Sequence, residues 1–183
     1  MKYLFLFSLL IFACGKSPEE TTQNLSTQTL NLSTYGNPEF IIPTLPDNVR
    51  AEVTLWGAFE DFEEQANTIN GNPLEILKEK SNLMVSHVDS ILKKIPDTLN
   101  TPIIYSRLLV VKTRTYLLNQ EVKKNHLDSI KLENKLNELN ISIKNLFIQI
   151  DEKMEKDLID LQKFNSEKKI ELQKKNYNYS KRN

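Results

Sequence analysis

Cysteine is almost missing from this chain: Cys14 is the only one among 183 residues. An intrachain disulfide is therefore excluded, as is a metal cage built on several thiolates. Glycine is nearly as scarce, at four, and only Gly57 and Gly71 fall in segments that read as folded. That leaves no glycine-rich loop to cradle a phosphate. The two histidines stand alone. Neither His87 nor His126 lies three residues after a glutamate, as a di-iron helical bundle requires, and there is no His-Glu-x-x-His. Net charge is also missing, with 24 basic and 24 acidic side chains. Nor is there an apolar run of about 20 residues, the length that spans a bilayer. With the usual reactive constellations gone, we expect no enzyme and no cofactor.

The charges that are present are unevenly spread. Residues 163–183 carry seven Lys or Arg against two Glu, a net of +5, whereas residues 14–162 carry 16 against 22, a net of −6. An acidic body with a basic tail is the true pattern. The tail mixes its cations with Tyr177 and Tyr179. It reads as a solvated terminus, with contact to an acidic surface such as lipopolysaccharide phosphates as the alternative.

The first residues read as a targeting signal. Lys2 gives a positive start, and Tyr3 to Ala13 is a run of eleven mostly apolar residues ending on a small one, directly before Cys14. That is the size of a signal-peptide core and too short for a membrane span. The segment resembles the bacterial lipoprotein signal, in which a small residue precedes an invariant cysteine. The resemblance implies cleavage before Cys14, a lipid on its sulfur and acylation, palmitate for example, of the new amino group. Residues 1–13 are then the signal peptide. An ordinary secretory signal with an incidental cysteine is the competing reading. Gly15 stands where the inner-membrane retention signal has Asp, so the outer membrane is the expected address. Lys16-Ser17-Pro18-Glu19-Glu20 resembles the acidic surface-export patch of Bacteroidetes lipoproteins, and reads equally well as plain polar tether.

Residues 14–46 form the lipidated cysteine and a flexible tether, rich in Thr, Ser, Asn, Gln and Pro. As a coil, residues 15–46 would reach roughly 30 Å. Phe40-Ile41-Ile42 is its one sticky spot, able to dock on a domain. Residues 47–165 read as a helical bundle domain and 166–183 as a basic helix extension and tail.

Four helices are expected. The first, about 48–69, is capped by Asp47, aligns Val53, Trp56, Phe59, Phe62, Ala66 and Ile69 on one stripe, and ends at Asn70-Gly71. Asn72-Pro73-Leu74-Glu75 opens the second with a capping-box pattern. Its stripe is Leu77, Met84, Val88, Ile91 and Ile95, interrupted by Ser81 and stopped by Pro96-Asp97. Thr101-Pro102 starts the third, with Ile104, Leu108, Val111, Thr115, Leu118 and Val122. The fourth, about 126–175, carries Leu132, Leu136, Leu139, Ile143, Leu146, Ile150, Met154, Leu158, Leu161 and Phe164. At 1.5 Å per residue it would run ~73 Å, twice the ~35 Å of the second, so it overhangs or breaks, with Asn165-Ser166 the weak point. Short connections make neighbours antiparallel. The fold class is all-α, an up-down bundle of three or four helices with a long C-terminal helix. The first helix is acidic and the third basic, so contact between them would be favoured.

Few residues suggest chemistry. Glu60, Asp61, Glu63 and Glu64 have helical spacing suited to a hard cation, but flank the inward Phe59 and Phe62 and read as a solvated face. A metal carrier or enzyme would rest on these and His87 alone. Trp56, Phe59 and Phe62 are the candidate interaction surface. Asp89-Ser90-Ile91, Asp97-Thr98-Leu99 and Asp128-Ser129-Ile130 match the Asp-Ser/Thr-apolar tripeptides that Bacteroidetes O-glycosylate, which makes Ser90, Thr98 and Ser129 candidate sites, Thr98 foremost because it falls in a loop.

The whole pattern resembles the small helical lipoproteins of Bacteroidetes. It implies a noncatalytic cell-envelope protein, membrane-held by its N-terminal lipid, acting as scaffold, spacer or protein-interaction module. A periplasmic ligand-binding or chaperone-like module is the alternative. The expected partners are the membrane, an envelope protein and a second copy bound through the long C-terminal helix. Export argues against nucleic acid.

Overall fold

Apolar residues recur at three-four spacing along most of the chain, and helices form where they do. The computed structural model describes residues 33–181. Cys14, the signal segment 1–13 and the tether up to residue 32 lie outside the described residues. Within them the elements are β1 (Thr34–Tyr35), α1 (Asp47–Thr54), α2 (Gly57–Thr68), β2 (Asn72–Pro73), α3 (Leu74–Lys93), α4 (Pro102–Val122) and α5 (Ser129–Ser180). Helices α2 to α5 each pack on the next in sequence, as short connections require, giving an all-α up-down bundle with a long last helix.

The expected first helix is two helices. Trp56 leaves helical geometry at φ −104° and ψ 70°, closing a turn through its N–H to the Val53 carbonyl at 2.9 Å. The corner re-aims the chain, so Val49 and Val53 of α1 and Phe59, Phe62 and Ala66 of α2 all face one core. Leu55 is turned outward in consequence, 78% exposed. Arg50 and Glu63 clamp the corner through paired hydrogen bonds of 2.5 and 2.9 Å.

Two of the expected caps are corrected. Asp47 opens α1 behind Pro46 with no side-chain cap. Asn72 does not cap α3, which starts after Pro73. Its amide turns back to the carbonyls of Thr68 and Ile69, the nearer at 2.6 Å, and so closes the end of α2. Helix ends leave four carbonyls unpaired, and the Asn72 amide supplies a donor to those at the end of α2. Thr101 caps α4 as its sequence indicates, accepting from the Ile104 N–H. Asp128 does the same for α5 through Lys131.

The tether ends earlier than expected. From Thr34 onward the chain belongs to the domain: Ile42 and Leu45 are buried in the core, and Tyr35 and Phe40 pack on it. Prolines 38, 43 and 46 bar a helix here but not burial. Of the sticky tripeptide, Ile41 faces solvent and its two neighbours face inward. β1 pairs antiparallel with β2, Thr34 opposite Pro73. Gly36 follows at φ +84° and donates its N–H to both oxygens of Glu133 on α5, at 3.1 and 3.2 Å. Beside it, Asn70 and Asn140 exchange two amide hydrogen bonds of 3.1 and 2.9 Å.

Acidic α2 and basic α4 do not form a main packing contact, because α2 packs chiefly on α3 while α4 lies against α5 and α3. The cations of α4 pair instead with the helices beside it: Lys112 with Asp89 of α3 and Arg114 with Glu138 of α5. Asp89 accepts from Lys112 at 2.8 Å and from the Tyr116 hydroxyl at 2.6 Å. Lys112 first, then Tyr116, hold its carboxyl below the usual carboxylate range. A lowered folded value means stability present at neutral pH and lost as pH falls below about 4. Asp89→Asn should therefore flatten the acid limb of the stability curve. The pair is partly open to water, so the change should stay under ~1 kcal/mol. Urea melts at about pH 3 and about pH 7 would read it, and an unchanged slope would refute it.

Candidate functional site: the free half of the long helix and the cleft beside Trp56

After Pro102 the chain has neither proline nor glycine, so nothing interrupts α5. Its 52 residues extend ~78 Å. Of the two expected outcomes, overhang or a break at Asn165-Ser166, the helix overhangs; the Ser166 hydroxyl donates to the Lys163 carbonyl at 2.7 Å and is absorbed into the helix. Pairs four apart, Lys153 with Asp157 and Glu171 with Lys175, brace the outer turns.

Where the shorter helices end, α5 loses its cover. Leu132, Leu136, Leu139, Ile143, Leu146, Phe147 and Ile150 are buried, and Met154 is packed at the edge. Every residue from Glu155 to Asn178 is exposed. The bundle thus stops near residue 154, not 165. Leu158, Leu161, Phe164 and Leu172 are each 46–60% exposed. Sequence spacing placed the first three on one stripe but did not show that nothing covers them.

The candidate surface at Trp56, Phe59 and Phe62 is corrected: it is core. Phe59 and Phe62 are fully buried and Trp56 nearly so. Phe59 sits at the centre, 5.2 Å from the Trp56 ring, 6.2 Å from Phe62 and 5.1 Å from Phe147 of α5. Trp56 borders a cleft of about 480 Å³ between the α1–α2 corner and the end of α3. Leu55, Ala58, Ile95 and Pro96 supply its apolar wall, and Ser90, Lys94 and Asp97 its polar groups. The indole N–H is buried without a hydrogen-bond partner.

Of the acidic cluster, Glu60, Asp61 and Glu64 are exposed and Glu63 is held by Arg50. His126 is exposed in the α4–α5 connection and His87 is half-buried on α3. Among the described residues, no three His, Cys, Asp or Glu side chains gather where a metal ion could be held. Ser90, Thr98 and Ser129 are all exposed. Thr98 lies in the α3–α4 turn, its hydroxyl 3.2 Å from Glu52, while Ser90 is helical and bonded to the Ser86 carbonyl.

Reading stripes alone missed a second apolar face. Ile103, Leu109 and Val110 of α4 and Ile141 and Ile148 of α5 are 38–57% exposed beside the inward positions. The unbroken Leu108-Leu109-Val110-Val111 was the available signal, since a helix apolar on both sides has more than one face to cover.

No protein-family model, curated protein or solved structure matches the chain. Among the described residues, no helix is long and apolar enough to cross a membrane.

Proposed function

We propose that this is a lipid-anchored cell-envelope protein, most simply of the outer membrane, acting without catalysis as a scaffold, spacer or protein-interaction module. The observation that carries the reading is the free half of α5, which holds apolar side chains in water on a rigid helix with no reactive group among them. Exposed apolar side chains that follow one another along a single face mark contact surfaces. The Lys2–Cys14 segment supports attachment through a thioether lipid, and acyl chains at ~0.8 kcal/mol per buried CH₂ hold firmly when more than one is present.

Cys14→Ser tests the anchor. The native protein should partition wholly into the detergent phase and the variant into the aqueous phase. Intact mass should show the diacylglyceryl and acyl additions on Cys14 in the native protein alone. The same spectrum reads the glycan proposed on Thr98, with Ser90 and Ser129 as secondary sites. Equal partitioning of both proteins, or a native mass without lipid, would reject the anchor.

The ligand-binding alternative draws on one observation, the cleft beside Trp56. Trp56 is the only tryptophan, so its fluorescence reports on that cleft directly.

A further inference from the structure

The free half of α5 carries a pattern of apolar spacing and a pattern of charge, and together they specify a partner. Met154, Leu158, Leu161, Asn165, Lys168, Leu172 and Lys175 follow one another at alternating steps of four and three, the seam of a two-helix contact. Four of the seven are apolar, and Phe164 flanks the seam near its middle. The lysine stems at 168 and 175 can lie along apolar neighbours with their ammonium groups in water.

Charge then chooses the direction. Residues 151–162 carry five acidic against two basic side chains, a net of −3, and residues 163–181 six basic against two acidic, a net of +4. A parallel pair of copies would lay acid on acid and base on base. An antiparallel pair lays each acidic half along the basic half of its mate. A single partner thus satisfies both the stripe and the charge, and it is the molecule itself.

We infer that two copies of this chain pair antiparallel through the free half of α5, about a two-fold axis near Lys163. In that register Leu161 lies level with Asn165 of the mate, Leu158 with Lys168 and Met154 with Leu172. Asp151 comes level with Lys175 and Glu155 falls within a turn of Lys169, while the two Phe164 side chains meet near the axis. One like-charged approach remains, Asp157 near Glu171, and each of these already has a lysine four residues away on its own helix. The contact is isologous and closes at two, so it makes a dimer and not a fibre. The bundles end up at opposite ends of a shared rod. This deepens the scaffold reading, but it does not depend on the lipid.

The test uses the full chain in detergent, an equal mixture of ¹⁴N- and ¹⁵N-labelled copies, and a zero-length carboxylate–amine crosslinker. Mixed-isotope links from Asp151 or Glu155 to Lys169 or Lys175 are expected. Within one rigid helix Asp151 and Lys175 are ~36 Å apart, so such a link must join two copies. Leu161→Asp, at a position already exposed in the single copy, should weaken the dimer roughly a hundredfold and leave the thermal midpoint in place at a dilution where both proteins are monomeric. Raising salt from about 0.05 to about 0.5 M should lower the link yield severalfold. Same-isotope links only, links in parallel register, or a yield indifferent to Leu161→Asp would overturn the pairing. A monomer that floats with anionic vesicles through its basic tail would overturn it in favour of a membrane contact. Because no step involves Cys14, failure here leaves the anchor standing, and failure of the anchor leaves the dimer standing.

Discussion

Replacing Phe59 by Ala should lower stability by about 3–5 kcal/mol, the range for deleting a buried aromatic ring. Phe59 has no exposed surface and lies 5–6 Å from three other rings, two of them local and the third, Phe147, from α5. Its loss removes the ring's own burial and leaves a cavity that Trp56 and Phe147 cannot close, because each is fixed in a different helix packing. Domains of this size are stable by only about 5–15 kcal/mol in all, so much of the folded margin would go. The thermal midpoint should fall by roughly 6–20 °C. Tyr177→Ala is the control: deleting a ring 68% exposed on the free helix, away from the seam, should shift stability by no more than ~0.5 kcal/mol. Equal effects at the two positions would show that the aromatic cluster is not the centre of the core.

Gly36→Ala is expected to follow, at about 2–5 kcal/mol. The residue has φ +84°, where a side chain costs roughly 1–2 kcal/mol. An added Cβ would also stand 2.5 Å from the Asn70 side-chain oxygen and 3.2 Å from its Cα. Asn70 would have to move, breaking its amide pair with the buried Asn140 and leaving unpaired polar atoms that cost about 1–3 kcal/mol. Gly71→Ala isolates the backbone term. Its φ of +75° is equally unfavourable, but its Cβ would meet only Pro38, at 3.3 Å. Guanidinium melts of the two variants should therefore differ, with Gly36→Ala the weaker. A smaller loss at Gly36 than at Gly71 would mean that the amide pair does not hold the N-terminal segment to α5.

Much of this fold is legible along the chain. Leu77, Met84, Val88 and Ile91, or Ile104, Leu108, Val111 and Leu118, repeat at the period of a helix, and all of them are buried. Thr101-Pro102 states a helix start by its own chemistry. Other features depend on residues far apart. Nothing local says that Asn72 serves the helix before it, or that Tyr35 and Leu45 leave a proline-rich stretch to join a core. The interaction surface was misplaced for the same reason: the stripe aligns Trp56, Phe59 and Phe62 but does not say that Phe147 of α5 packs on Phe59.

Period, propensity and the positions of proline and glycine are properties of the order of residues, so the helical segments and their apolar stripes were set before any folding. Which stripe is covered is decided by lengths and directions. α3 and α4 are 20 and 21 residues long against 52 for α5, so the same apolar repeat is core up to Ile150 and surface beyond Met154. Burial belongs to the assembled helices and not to any one of them, because an apolar face is removed from water only where another element lies against it.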